Sequence, residues 1–94
     1  MDARSDQAIV WLERARDANP AQPSLHAWLA SAYALDGETE RAATELDEAR
    51  RTSSDDRYSS IARLKALGSS TPKARALLET TFFAGLRKAG MPEK

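Results

Sequence analysis

Apolar residues recur along the chain at spacings of three and four, and no run rich in Val, Ile or Thr alternates strictly with polar residues. The pattern predicts an all-α chain of about five helices. The first runs from Ser5, as N-cap, to Ala18, with Ala8, Ile9, Leu12 and Ala15 on one face and Asn19-Pro20 ending it. Pro23 opens the second, which carries Leu25, Trp28, Leu29, Ala32 and Tyr33 to Leu35, where Asp36-Gly37 supplies a left-handed stop. The third spans Glu38 to Arg51 and is expected to bury Ala42, Ala43, Leu46 and Ala49. The polar run from Thr52 to Asp56 offers turn and capping chemistry before a short fourth helix with Ile61, Leu64 and Leu67, which ends at Gly68. After Ser69-Ser70, Thr71 is placed as N-cap of a fifth helix with Pro72 in its first position. This last stripe is the most regular, with Ala74, Leu77, Leu78, Thr81, Phe82, Gly85, Leu86 and Ala89 on one face before Gly90 and Pro92 close it.

Sliding the sequence against itself by 34 residues superposes Ala8 on Ala42, Leu12 on Leu46, Glu13 on Asp47, Ala15 on Ala49 and Arg16 on Arg50. Within Pro23 to Ser54, Leu29-Ala30, Tyr33, Gly37, Ala42, Leu46 and Ala49 fall where a tetratricopeptide repeat places its Leu-Gly pair, inter-helix tyrosine, turn glycine and second-helix contacts. The chain resembles that family over roughly residues 5 to 54. The resemblance implies a solenoid of antiparallel helix pairs, packed closely because small residues sit where helices cross. Residues 5–19 read as an orphan second helix, 23–54 as a complete repeat, and 55–94 as a degenerate repeat with a C-terminal capping helix, all in one domain over 1–94. His26 replaces the usual packing aromatic and is expected to pack half-buried, Ser54 replaces the proline seen as Pro20, and 59–67 lacks the tyrosine and the turn glycine.

A closer likeness comes from Asn19-Pro20, the stretch Pro23-x-x-His26-x-Trp28-Leu29-Ala30, Gly37 and the tail Gly85 to Glu93. Together they resemble the C-terminal repeat region of bacterial class III adenylate/guanylate cyclases that carry such repeats. None of the cyclase catalytic domain is matched, so the activity does not come with the likeness. What it implies is a regulatory or scaffolding tail; the rival reading is a small stand-alone adaptor or self-associating structural segment with no dedicated ligand.

Composition narrows the chemistry. A chain of 94 residues without cysteine and with one histidine has no thiolate zinc site, disulfide or thiol nucleophile, and it points to a reducing cytoplasm. No apolar run approaches a membrane span, no signal layout opens the chain, and 14 bases against 14 acids argue against a nucleic-acid partner. Catalytic, cofactor-binding and metal residues are therefore set at none, with no cofactor. Asp55-Asp56 is read as helix capping, since adjacent carboxylates point apart, and no Gly-rich phosphate loop is present. Charge is uneven along the chain: residues 1–49 hold four bases and ten acids, residues 50–94 ten bases and four acids. The basic set Arg63, Lys65, Lys73, Arg75, Arg87 and Lys88 is read as a solvated face.

What remains is protein interaction. The repeat register implies that Ser24, Ala27, Ser31, Ala34 and Leu35 line the concave wall, where a partner helix or extended segment would bury apolar area. Those small, uncharged residues cannot form the Lys/Arg/Asn clamp that grips a terminal carboxylate. Trp28 is assigned to the core. The orphan first helix leaves Ala8, Ile9, Trp11 and Leu12 as an uncovered apolar edge, and self-association with a second copy is expected through it.

Overall fold

The computed structural model describes residues 3–67 and 72–94. They form α1 (Ala3–Ala18), α2 (Pro23–Leu35), α3 (Thr39–Thr52), a single 3-10 turn (Arg57–Ser59), α4 (Ile61–Leu67), α5 (Pro72–Glu79) and α6 (Phe82–Lys88), with no strand among the described residues. The fold is all-α. The expected stop at Gly68 and the Ser69-to-Thr71 break and cap lie outside the described residues, as do the side chains of Leu67, Ala74, Arg75 and Leu77.

α2 is the central rod. Its sequence PSLHAWLASAYAL holds no acid and no Lys or Arg, and seven of its residues are buried, over more than half of its circumference. α3 packs along one flank, α6 along another, and α1 closes a third. The α2–α3 hairpin is set by Gly37 at φ +85°, a conformation glycine adopts without a Cβ clash, with Glu38 N–H donating to Tyr33 O at 2.8 Å and Gly37 N–H to Ala34 O at 3.1 Å. Two contiguous cores result. Ile9 joins Leu29, Tyr33, Ala34 and Ala42 beneath α1, while Ala27, Ala30, Leu46 and Ala49 meet Tyr58, Ile61, Leu64, Phe82, Phe83, Leu86 and Met91 beneath α4 and α6.

Several expectations change in the fold. Ser5 stands inside α1 instead of capping it, because Ala3 and Arg4, both strong helix formers, extend the first turn upstream. Ala43 is exposed, since α3 buries the stripe Ala42, Glu45, Leu46 and Ala49 and rotates position 43 outward. The regular stripe from 72 to 89 is not one helix. It breaks at Thr80-Thr81, where Thr81 takes φ −123° and ψ −86°, and α6 turns to lie along α2. Two consecutive β-branched residues favour such a break.

The tail closes the molecule. Gly90, at φ +109°, ends α6 with Met91 N–H donating to Leu86 O at 3.0 Å, and Met91 enters the core. The next two carbonyls cap α4. Ile61 N–H donates to Pro92 O and Ala62 N–H to Glu93 O, both at 2.8 Å, and Arg63 N–H donates to Ser60 Oγ at 3.1 Å. The first three amides of α4, which have no partner within a helix, are thereby satisfied. The N-cap is Ser60, not the upstream polar run. There Asp55 accepts from Arg57 N–H at 3.1 Å and from its guanidinium, which holds the Asp55 carboxyl down at about 2.

Candidate interaction groove

Between α1, α2 and the α5–α6 junction lies an open apolar groove of about 200 Å³, lined by Ala8, Leu12, Trp28, Ser31, Ala32, Leu35, Thr81 and Phe82. Each wall follows from the local sequence. α1 turns Ala8 and Leu12 to it, one helical turn apart, and α2 contributes Trp28, Ala32 and Leu35 by the same spacing. Its floor is a ring stack: Trp28 lies on Phe82 with centroids 4.1 Å apart and planes at 23°. The lip is exposed hydrocarbon at Leu35, 47% exposed; Trp28 itself is 39% exposed, and Trp11, at 73%, stands one turn along α1 from Ala8. Large apolar side chains so grouped on a small domain mark an interaction surface.

Ser24, Ala27, Ser31, Ala34 and Leu35 do not form one open wall. Ala27, Ser31 and Ala34 are buried, Ser24 is half-buried, and only Leu35 stands open. The physical reason is α6, which lies over Ala27 and Ser31: Ser31 Oγ donates to Phe82 O at 2.9 Å, and Gly85 crosses directly against Ser31. On the expected edge, Ala8 and Trp11 are exposed and Leu12 is half-buried, but Ile9 points inward to Leu29 and Tyr33. Trp28, assigned to the core by its sequence position, stands partly exposed because its indole covers Phe82 at the molecule's surface. Of the small residues expected at helix crossings, Ala42 and Ala49 are fully buried, Ala15 is half-buried, and Ala8 is exposed on the rim of the groove, where no described helix faces it.

The other side of α2 carries a buried polar network that sequence reasoning missed. His26, only 4% exposed, directs Nδ1 at Glu45 Oε2, 2.6 Å away, and Nε2 at Pro20 O, 2.7 Å away. Both partners are oxygens that accept hydrogen bonds. The second Glu45 oxygen accepts from Arg16 Nη1 at 2.5 Å, and Tyr33 donates to Glu13 Oε2 at 2.5 Å. Burial, and then the bond to Glu13, push the Tyr33 hydroxyl up to about 12. These contacts tie α1, the loop at Pro20, α2 and α3 together. The available signal was Glu45 itself, an acid inside the apolar stripe of α3.

The basic set is largely engaged within the chain. Arg63 pairs with Asp56 at 3.0 Å, Lys65 with Glu79, and Arg87 with Glu79 at 3.1 Å and with Glu93; Lys73 and Lys88 are exposed, and Arg75 lies outside the described side chains. Among the described residues no group of three or more His, Asp or Glu is placed to hold a metal ion, and no helix is long and apolar enough to cross a membrane.

Among known proteins, neither the curated proteins nor the solved structures provide a match. A family model described as "Tetratricopeptide repeat", a non-catalytic unit that generally mediates contacts between proteins, matches residues 2–68. That span takes in α1 to α4, including the 34-residue offset, the Gly37 hairpin and the α1 wall of the groove, and it exceeds half of the chain; the protein belongs to the tetratricopeptide repeat family.

Proposed function

We propose that the chain is a protein interaction module, not an enzyme, and that its working surface is the groove between α1, α2 and the α5–α6 junction. The observation that carries this is the open apolar trough with Leu35 and Trp28 exposed in its lining, on a chain whose family generally binds proteins. In this reading α1 is the second helix of one repeat, α2 and α3 are a complete repeat, and residues 55–94 are a divergent unit and cap. Burying the trough and its lip supplies the drive, at about 25 cal/mol per Å² of apolar area. The test is a photo-reactive residue at position 35 in the native cell, with position 47 on the charged outer face of α3 as control. Protein adducts are expected at 35 and not at 47. Equal yields at both, or none at 35, overturn the groove as the working surface.

The module's setting in this reading is the regulatory or scaffolding tail of a larger cytoplasmic protein of the class III cyclase type. Support comes from the sequence likeness of Asn19-Pro20, Pro23 to Ala30 and the tail Gly85 to Glu93. Mass measurement of the polypeptide purified from its native source separates the two settings: a cyclase domain on the same chain is expected, and its absence leaves the stand-alone adaptor.

A further inference from the structure

We infer that Asp36-Gly37, the turn joining α2 to α3, is a site of spontaneous main-chain modification: Asp36 converts to isoaspartate, and the closed hairpin is the gate that withholds the reaction. The inference concerns a covalent change and stands independently of the groove.

The sequence concentrates the chemistry at one position. An aspartate isomerises when the main-chain nitrogen that follows it reaches its carboxyl carbon, and a glycine there puts no side chain in the way. Asp36 is the one aspartate of the chain followed by glycine; the others precede residues that carry a side chain. The single asparagine, Asn19, precedes Pro20, whose nitrogen has no hydrogen to lose.

The fold leaves this site open to water but holds the reacting atoms apart. Gly37 is exposed, and a Cβ built on it would meet nothing within 4 Å, so neither solvent nor a small ring is excluded. Asp36 sits at ψ 1°, which turns the Gly37 nitrogen away from the Asp36 side chain. Ring closure requires rotation about that bond. The rotation carries Gly37 N–H away from Ala34 O and Glu38 N–H away from Tyr33 O, contacts of 3.1 and 2.8 Å. The two hydrogen bonds that close the hairpin are therefore the ones that prevent the reaction, which proceeds from the opened turn.

The atoms balance with water as the only co-reactant. The Gly37 nitrogen attacks Cγ of Asp36, a C–N bond forms, and one carboxylate oxygen leaves as water with the amide hydrogen and a proton from solvent. Water then opens the five-membered imide. Attack at Cγ restores aspartate; attack at the main-chain carbonyl carbon of Asp36 leaves Gly37 joined through Cγ and frees the main-chain carboxylate. The product has the mass of the parent, but its main chain is longer by one methylene. That extra atom moves Gly37 and Glu38 out of register with Ala34 and Tyr33, so the converted hairpin closes less well than before.

The test is incubation of the full chain at neutral pH, both folded and in concentrated urea. Peptide mapping with electron-transfer fragmentation then tells isoaspartate from aspartate at equal mass. Isoaspartate is expected at residue 36 ahead of every other aspartate, about tenfold or more slower in the folded chain than in urea. Asp36→Glu, which would have to close a larger and slower-forming ring, should abolish it. Leu46→Ala keeps the turn sequence, loosens the packing of α3 on α2 and should raise the native rate severalfold. The converted chain, separated from the parent, should unfold at lower urea and lose hydrogen-exchange protection at Gly37 and Glu38. No isoaspartate at 36 in urea overturns the site. Equal rates in the folded and unfolded chain, or a native rate untouched by Leu46→Ala, overturn the gate, and a converted chain as stable as the parent overturns its effect on the hairpin.

Discussion

A Cβ placed on Gly85 would stand 2.0 Å from Ser31 Oγ and 2.6 Å from Ser31 O, and a backbone oxygen cannot swing aside. Gly85→Ala should therefore lower stability by about 1–3 kcal/mol in urea denaturation through overpacking, even though alanine improves helix propensity by about 0.5–1 kcal/mol. A variant as stable as the parent would mean that α6 does not lie on α2. Glu45 offers the second residue-level test, because it accepts from both His26 and Arg16 in a buried setting. Glu45→Ala should cost about 1–3 kcal/mol, the scale of a buried hydrogen-bonding group left without its partner. Glu48→Ala, which removes only the exposed pair with Arg51, should leave the midpoint nearly unchanged. Sequence alone put Gly85 on the apolar face of its helix; Glu45 was missed, although an acid interrupting Ala42, Leu46 and Ala49 was the signal that could have found it. The role of His26 was not visible, since one of its partners is the carbonyl of Pro20, and a main-chain atom leaves no mark on residue identity.

At the scale of elements, the hairpin of α2 and α3 was legible because proline, glycine and the apolar period all agreed on its limits. The break at Thr80-Thr81 was not. The small and apolar positions keep their phase across it, so the period that announced one long helix is also satisfied by two short ones that meet at an angle. Likewise the tail from Gly90 to Glu93 read as an ending, whereas its main-chain oxygens complete the first turn of α4. Met91→Ala removes a buried side chain from the contact with Leu86 and should cost about 2–5 kcal/mol. Glu93→Ala retains the capping carbonyl and should be close to silent. Hydrogen exchange checks the assignment: the Met91 variant should lose protection at Ile61 and Ala62 first, and unchanged protection there would refute the cap.

For the whole molecule, a Cα radius of gyration of 12.3 Å equals the roughly 12 Å expected of a globular domain of this length, so the repeats curl into a closed body instead of an elongated spiral. Both core clusters draw on α2 and α3, with Ala27, Ala30, Leu46 and Ala49 in one and Leu29, Tyr33, Ala34 and Ala42 in the other. Neighbouring residues of the same two rods thus serve both cores. Unfolding should be a single transition, with far-ultraviolet circular dichroism and tryptophan fluorescence tracing the same curve against urea. Two separated transitions would show that the clusters melt independently.

The seating of α6 on α2 has a consequence for growth. In an open array each unit offers one side to the unit before it and one to the unit after, and such arrays can lengthen without limit. Here α6 occupies the face of α2 that a following unit would take. Stacking on that face requires α6 to lift away first, and the Ser31 Oγ hydrogen bond to Phe82 O and the close crossing at Gly85 oppose it.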